Sequence, residues 1–95
     1  MTMAASAKPY RSTAIFDAET LPAALRRRHT TKAGVWARIE VLKGQVRYEI
    51  FDPPSVEILE PGRPGRVAPE QPHQVLPCGP MQMRVDFYDC DPDDT

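Results

Sequence analysis

Eleven prolines among ninety-five residues constrain this chain more than any other feature. Proline lacks a backbone N–H donor and clashes with the preceding helical turn, so a chain with prolines this frequent cannot hold long helices. The one helical candidate spans residues 21–28, with Thr20 as N-cap and Pro22 in the first turn. It is at most about two turns long and is equally compatible with a turn of 3-10 helix. The sequence predicts an all-β fold with at most one short helix.

The clearest strand lies between residues 35 and 42, where the chain alternates with period two. After a break at Lys43 and Gly44, residues 46–50 resume the alternation. A glycine between two alternating runs is typical of a tight turn, so we expect these runs to pair as an antiparallel hairpin. In the first strand Val35, Ala37, Ile39 and Val41 are expected on one face, and Trp36, Arg38, Glu40 and Leu42 on the other.

Shorter alternating runs continue to the end of the chain, separated by turns rich in proline and glycine. Turns at intervals of about eight to twelve residues are typical of β-sandwiches and barrels. We expect one domain over residues 10–88, between a flexible leader (1–9) and an acidic flexible tail (89–95). The further strands are expected at residues 56–59, from 66, and at 73–76 and 81–88.

The charge balance excludes several classes of partner. Twelve basic and thirteen acidic residues give a net charge of -1, which provides no field for nucleic acid or anionic lipid. No run of apolar residues approaches the ~18 that a membrane span needs, so we expect a cytoplasmic protein with no membrane partner. Cys78 and Cys90 are then expected to be reduced thiols.

The residues that most favour chemistry are the two histidines, because motifs for phosphate binding, serine hydrolases and zinc peptidases are absent. His29 and His73 each stand where a loop enters a strand, and Glu70 precedes His73 in a proline-stiffened segment. Imidazoles from separate strands with one carboxylate are a common metal-ligand set. Two ordinary histidines that form hydrogen bonds in loops explain the same pattern. Trp36 is either a core aromatic residue or a wall of a ligand pocket.

Four blocks of the chain together resemble a family. They are residues 29–36 (HTTKAGVW), 39–44 (IEVLKG), 69–73 (PEQPH) and 85–88 (VDFY), and the likeness covers residues 10–88. This pattern is similar to a small bacterial cupin-like family and to the N-terminal domain of some tellurite-resistance methyltransferases. The resemblance implies a cupin-like double-stranded β-helix, or jelly-roll, barrel.

The same resemblance implies a divalent metal at the mouth of the barrel, where His29 and His73 would meet. Thr31 stands where cupins place a second histidine, and no glutamate follows at the expected distance, so a complete set of three histidines and one glutamate is excluded. The implied ligands are therefore His29, His73 and Glu70, with Asp86 as a further donor. The choice between zinc, iron, manganese and nickel stays open.

Three functions fit this resemblance. The first is a metal-binding module that takes a small molecule or an oxyanion in the barrel mouth, in tellurite or related stress. The second is a small metal-dependent enzyme, an oxygenase or isomerase. The third is a metal-free module for dimerisation or partner binding, and the family resemblance makes a homodimer plausible. We expect the module alone, without the methyltransferase domain, and therefore no methyl transfer.

Overall fold

The computed structural model describes residues 8–93 and shows a small all-β domain with two antiparallel sheets. The prediction of an all-β fold with one short helix is confirmed, since the helical candidate forms a single 3-10 turn at Ala23–Arg26. The strands are β1 (Arg11–Ser12), β2 (Phe16–Asp17), β3 (Trp36–Lys43), β4 (Val46–Phe51), β5 (Pro54–Leu59), β6 (Gly65–Val67), β7 (His73–Pro77) and β8 (Gln82–Tyr88).

Strands that follow one another in the chain mostly belong to different sheets. The larger sheet has the order β1-β8-β3-β6, with β2 also paired to β8, and the smaller has the order β5-β4-β7. From β3 onward the chain therefore crosses between sheets four times, and only β4 and β5 form a hairpin within one sheet. This alternation places the apolar faces of both sheets against one core.

The predicted faces of β3 are confirmed. Ala37, Ile39 and Val41 are almost fully buried, and across the sheet Ile39 is opposite Val85 while Val41 is opposite Met83. Opposite residues of an antiparallel pair share a face, so this half of the core follows directly from the period-two pattern. The smaller sheet contributes Val46, Tyr48, Leu59 and Val75.

The predicted hairpin between β3 and β4 is wrong. β3 pairs with β6 and β8, whereas β4 pairs with β5 and β7, so the chain leaves one sheet for the other at Gly44. Gly44 has φ 71°, and a Cβ there would lie 2.3 Å from the Pro80 carbonyl oxygen. Alternation identifies a strand and its faces but not its neighbour, and a tight glycine can equally turn the chain across the core.

The two sheets are in close contact around Gly65 on β6. A Cβ at this position would lie 2.7 Å from Leu59 Cδ1 and 2.9 Å from Tyr48 Cδ2, both on the opposite sheet. The Tyr48 hydroxyl donates a hydrogen bond of 2.7 Å to the Arg66 carbonyl oxygen and so ties the two sheets together. No larger side chain fits at position 65 without displacing these residues.

The described part of the predicted acidic tail, residues 89–93, lies against the outer face of the larger sheet. Arg66 pairs with Asp91 at 2.7 Å, Arg38 pairs with Asp93, and Pro92 is buried. The rest of that tail and residues 1–7 of the predicted leader lie outside the described residues.

Two smaller expectations concern cysteine and the membrane. Cys78 and Cys90 are both exposed and free. Within residues 8–93, no helix has the length and apolar character needed to cross a bilayer.

Candidate binding site

A cavity of about 500 Å³ lies between the two sheets. Ala37, Ile39 and Val85 of the larger sheet and Val75 of the smaller form its apolar floor. Phe16, Leu25 and Phe87 are partly buried at its margin. The volume falls within the range of about 300–1,000 Å³ that is usual for small-molecule sites.

His29 and His73 stand together at this cavity. Each backbone N–H donates to the other residue's carbonyl oxygen at 3.0 Å, so His29 extends the smaller sheet beyond β7. The two imidazole rings lie 4.0 Å apart between centroids, at an interplanar angle of 53°. The structure thus brings together the two histidines that sequence analysis singled out, from positions far apart in the chain.

Hydrogen bonds to backbone carbonyls fix the tautomer of both rings. His29 Nδ1 lies 2.8 Å from the Arg27 carbonyl oxygen, and His73 Nδ1 lies 2.7 Å from the Gln71 carbonyl oxygen. A carbonyl oxygen can only accept, so each Nδ1 carries the proton and donates it. In the neutral ring the lone pair is then on Nε2.

Burial keeps His73 neutral. The side chain is almost fully buried, and this desolvation lowers the pKa of His73 to about 4. The hydrogen bond to the Gln71 carbonyl opposes the shift, and the nearby charge of His29 adds to it. At pH 7 His73 Nε2 is therefore an acceptor with an available lone pair.

The polar rim of the cavity is cationic. Arg11 and Lys32 line it, and the Arg11 guanidinium carbon lies 5.1 Å from the centroid of Phe87. Among the described residues that line the cavity there is no aspartate or glutamate. Sequence analysis missed both cations, because Arg11 belongs to a two-residue strand and Lys32 to a loop, and neither element has a periodic pattern.

The structure does not bring Glu70 into the cavity. Glu70 is exposed, has φ 59°, and donates its backbone N–H to the Thr31 carbonyl oxygen at 3.2 Å. Across the part of the chain that the structure describes, no group of three or more His, Cys, Asp or Glu side chains is arranged to hold a metal ion. A ligand set of His29, His73 and Glu70 would need the Glu70 side chain to turn inward.

Asp86 and Trp36 lie on the opposite side of the larger sheet from the cavity. Asp86 Oδ1 accepts hydrogen bonds from Ser12 Oγ at 2.7 Å and from Arg84 Nε at 2.9 Å. Trp36 is half-buried on β3, with the Arg66 guanidinium carbon 5.6 Å from its ring centroid. The register explains this placement, since both residues alternate with cavity-facing neighbours.

These features define a small two-sheet β domain with a histidine-edged cavity. A family model for the TehB-like domain matches residues 11–85, so the chain belongs to the TehB-like family. The predicted relationship to the N-terminal region of tellurite-resistance methyltransferases is confirmed. No curated protein matches the chain in sequence.

Two solved structures share this fold. One is the crystal structure of a protein from E. coli strain K12, with 26% identity and a TM-score of 0.79 over 93% of this chain and 95% of that one. The other is TehB from Haemophilus influenzae, with 25% identity and a TM-score of 0.77 over 87% of this chain. The match covers 31% of the TehB chain, so it corresponds to one part of that longer protein.

Proposed function

We propose that this TehB-like domain binds a small molecule with an apolar body and a negatively charged group in the cavity between its sheets. We also propose that the architecture is a cupin-like double-stranded β-helix. The alternation of β3 to β8 between the two sheets supports this, since jelly-roll domains are built from two such sheets.

The observation that carries the proposal is the asymmetry of charge around an apolar floor. Arg11 and Lys32 line the rim, and carboxylates are absent from the described lining. A guanidinium beside a low-dielectric cavity binds carboxylates and other oxyanions through charge-assisted hydrogen bonds. An oxyanion encountered in a stress response, which the relationship to TehB suggests, is also a negatively charged ligand and is therefore compatible with this proposal.

The test compares two ligands of the same size and shape, the anionic 3-phenylpropionate and the neutral 3-phenylpropanamide, by NMR titration of the ¹⁵N-labelled protein. We expect the carboxylate to shift the amide signals of Ala37, Val75 and Val85 and the neutral amide to bind at least about tenfold more weakly. Arg11→Met should reduce this difference, whereas Arg47→Met, on the outer face of β4, should leave it unchanged. Equal binding of the two compounds, or no binding of either, would contradict the proposal.

A divalent metal held by His29 and His73 is the second candidate. The observation in its favour is the pair of Nδ1–H donors to carbonyl oxygens, because metal-bound histidines are usually oriented in this way with Nε2 toward the ion. With Zn–N bonds of about 2.0–2.1 Å, two imidazoles on one tetrahedral ion hold their centroids roughly 5 Å apart. The rings at 4.0 Å would therefore have to separate by about 1 Å.

Elemental analysis of the purified, untagged protein tests this candidate. A stoichiometric divalent metal that is lost in the His29→Ala, His73→Ala variant would establish the site. Glu70→Gln then tests the third ligand, because loss of affinity in that variant requires the carboxylate to turn toward the histidines. Absence of metal after loading with zinc, iron, manganese and nickel in turn would eliminate the candidate.

A further inference from the structure

We propose that the ligand of this cavity also carries a hydroxyl group, and that His73 Nε2 accepts its hydrogen bond. This inference rests on the proposed function and narrows the class of ligand, because the anionic molecule with an apolar body must also carry a hydroxyl group. It follows from the position of the proton on each ring, from the accessibility of Nε2, and from the side of the cavity on which the histidines stand.

The hydrogen bond of His73 to a backbone carbonyl determines whether its other ring nitrogen donates to a ligand or accepts from it. The Gln71 carbonyl oxygen, 2.7 Å from Nδ1, holds the proton on that nitrogen whether the ring is neutral or charged. The neutral ring can therefore only accept at Nε2. His29 has the same arrangement through the Arg27 carbonyl oxygen, at 2.8 Å, so a second acceptor of the same kind stands beside the first.

The Nε2 atom of His73 is partly accessible although the residue as a whole is 3% exposed. It makes no hydrogen bond with any residue in the range 8–93, and no side-chain nitrogen or oxygen in that range is both buried and without a partner. Nε2 must therefore belong to the small accessible part of the side chain. Since His73 lines the cavity, this accessible part is available to a ligand.

The histidine acceptors and Arg11, one of the two cations of the rim, stand on different sheets. His73 and its neighbour His29 form the edge of the smaller sheet, and Arg11 on β1 forms an edge of the larger one. A ligand whose anionic group pairs with Arg11 and whose hydroxyl reaches His73 would contact both sheets and cover the apolar floor between them. A phenol with a carboxylate on a short chain offers both groups on one apolar body.

A lone pair that loses its water on ligand binding must be compensated by a donor. A ligand with a hydroxyl supplies that donor, whereas an ether of the same shape presents a second lone pair and leaves both unpaired. Sites that hydrogen-bond a hydroxyl reject analogues without it by large factors. We therefore expect at least about tenfold discrimination between a phenol and its methyl ether.

The experiment measures affinities of the wild-type protein for three compounds by NMR titration at pH 7. They are 3-(4-hydroxyphenyl)propionate, 3-(4-methoxyphenyl)propionate and 3-phenylpropionate. We expect the phenol to bind at least about tenfold more tightly than both other compounds. His73→Phe, which keeps an aromatic ring of similar size, should remove this preference by weakening the binding of the phenol alone.

The outcomes separate this inference from the proposed function. Equal affinities for the three carboxylates would overturn the hydroxyl inference and leave anion binding intact, whereas no binding of any of them would overturn both. If His73→Phe does not fold, as judged by its thermal transition, the ether and phenol still decide the question on the wild-type protein. Long-range ¹H–¹⁵N spectra add a direct check, since a proton on Nε2 of neutral His73 would also overturn the inference.

Discussion

His73 couples the candidate site to the stability of the whole domain. Its pKa is about 4 in the folded protein against 6.5 for an unperturbed imidazole, because burial disfavours the charged ring. Between these two values the unfolded chain binds more protons than the folded one, so stability rises with pH. Titration of His73 therefore does not lower the free energy of unfolding above about pH 6.5. As the pH falls toward 4, it lowers the free energy of unfolding by at most about 3 kcal/mol.

Urea unfolding at a series of pH values from 4 to 7.5 measures this effect. The wild-type free energy of unfolding should fall as the pH is lowered, and the fall should be smaller in His73→Phe, which has no titrating ring. Asp17 titrates in both proteins, with its pKa lowered by backbone hydrogen bonds from Thr20 and Glu19, and so cancels in the comparison. Parallel curves for the two proteins would contradict the prediction.

The structure also decides between the two roles expected for Trp36, because it places this residue outside both the core and the cavity. Replacement of a fully buried tryptophan by alanine lowers the free energy of unfolding by about 3–5 kcal/mol. Trp36 is half-buried on the outer face of β3 beneath Arg66, so we expect Trp36→Ala to lower the free energy of unfolding by about 1–2 kcal/mol. Affinity for cavity ligands should not change. A loss above 3 kcal/mol in urea unfolding, or weakened ligand binding, would contradict this placement.

The sequence analysis predicted that His29 and His73 meet, and this prediction depended on the family resemblance. Spacing alone cannot bring His29 beside His73, because the contact forms only when the segment before β3 pairs with β7. Arg11 and Lys32 lie in elements too short or too irregular to be predicted from periodicity. The position of Asp86 could have been inferred, since it alternates with the inward-facing Val85 and Phe87 along β8.

At the level of the elements, period-two patterns predicted where strands lie and which residues share a face, but not how strands pair. The pattern of β3 has the same appearance whether its neighbour is β4 or β8, because side-chain alternation reports burial and not hydrogen-bonding partners. The crossing at Gly44 is a packing feature of the folded state, since its close neighbour is the backbone at Pro80.

Gly44 provides a prediction with a matched control. Gly44 and Gly34 have φ values of 71° and 77°, so an alanine is strained at both, at about 1 kcal/mol. A Cβ at Gly34 has no atom within 4 Å, whereas at Gly44 it would lie 2.3 Å from a carbonyl oxygen. We expect Gly44→Ala to destabilise the protein by about 1–3 kcal/mol more than Gly34→Ala in urea unfolding. Equal losses would show that the turn can shift without cost.

For the whole molecule, the end of the described chain is part of the fold. Removal of residues 90–95 deletes the ion pairs of Asp91 with Arg66 and of Asp93 with Arg38, and it uncovers the outer face around Tyr88. Exposed ion pairs are worth at most about 1 kcal/mol each, and the lost apolar cover adds to this. We expect the truncated protein to be about 1–2 kcal/mol less stable.

The control for this truncation is the double variant Asp91→Asn, Asp93→Asn, which removes the two carboxylates and keeps the cover. Its loss should be smaller and should vanish in 1 M salt, since screening acts on the charges alone. Thermal unfolding at two salt concentrations measures both variants. A truncated protein as stable as the wild type would show that these residues are a mobile tail, as the sequence analysis expects.

The repeated crossing between sheets also determines how this domain can fold. Because β3 pairs with β8, as in the contact of Trp36 with Tyr88, the larger sheet closes only after most of the chain has been synthesised. Contacts between residues so distant along the chain give a high contact order, which is associated with folding in milliseconds to seconds. A ribosome-bound chain lacking β8 would leave one edge of β3 unpaired, and so would depend on rapid completion of synthesis to avoid aggregation.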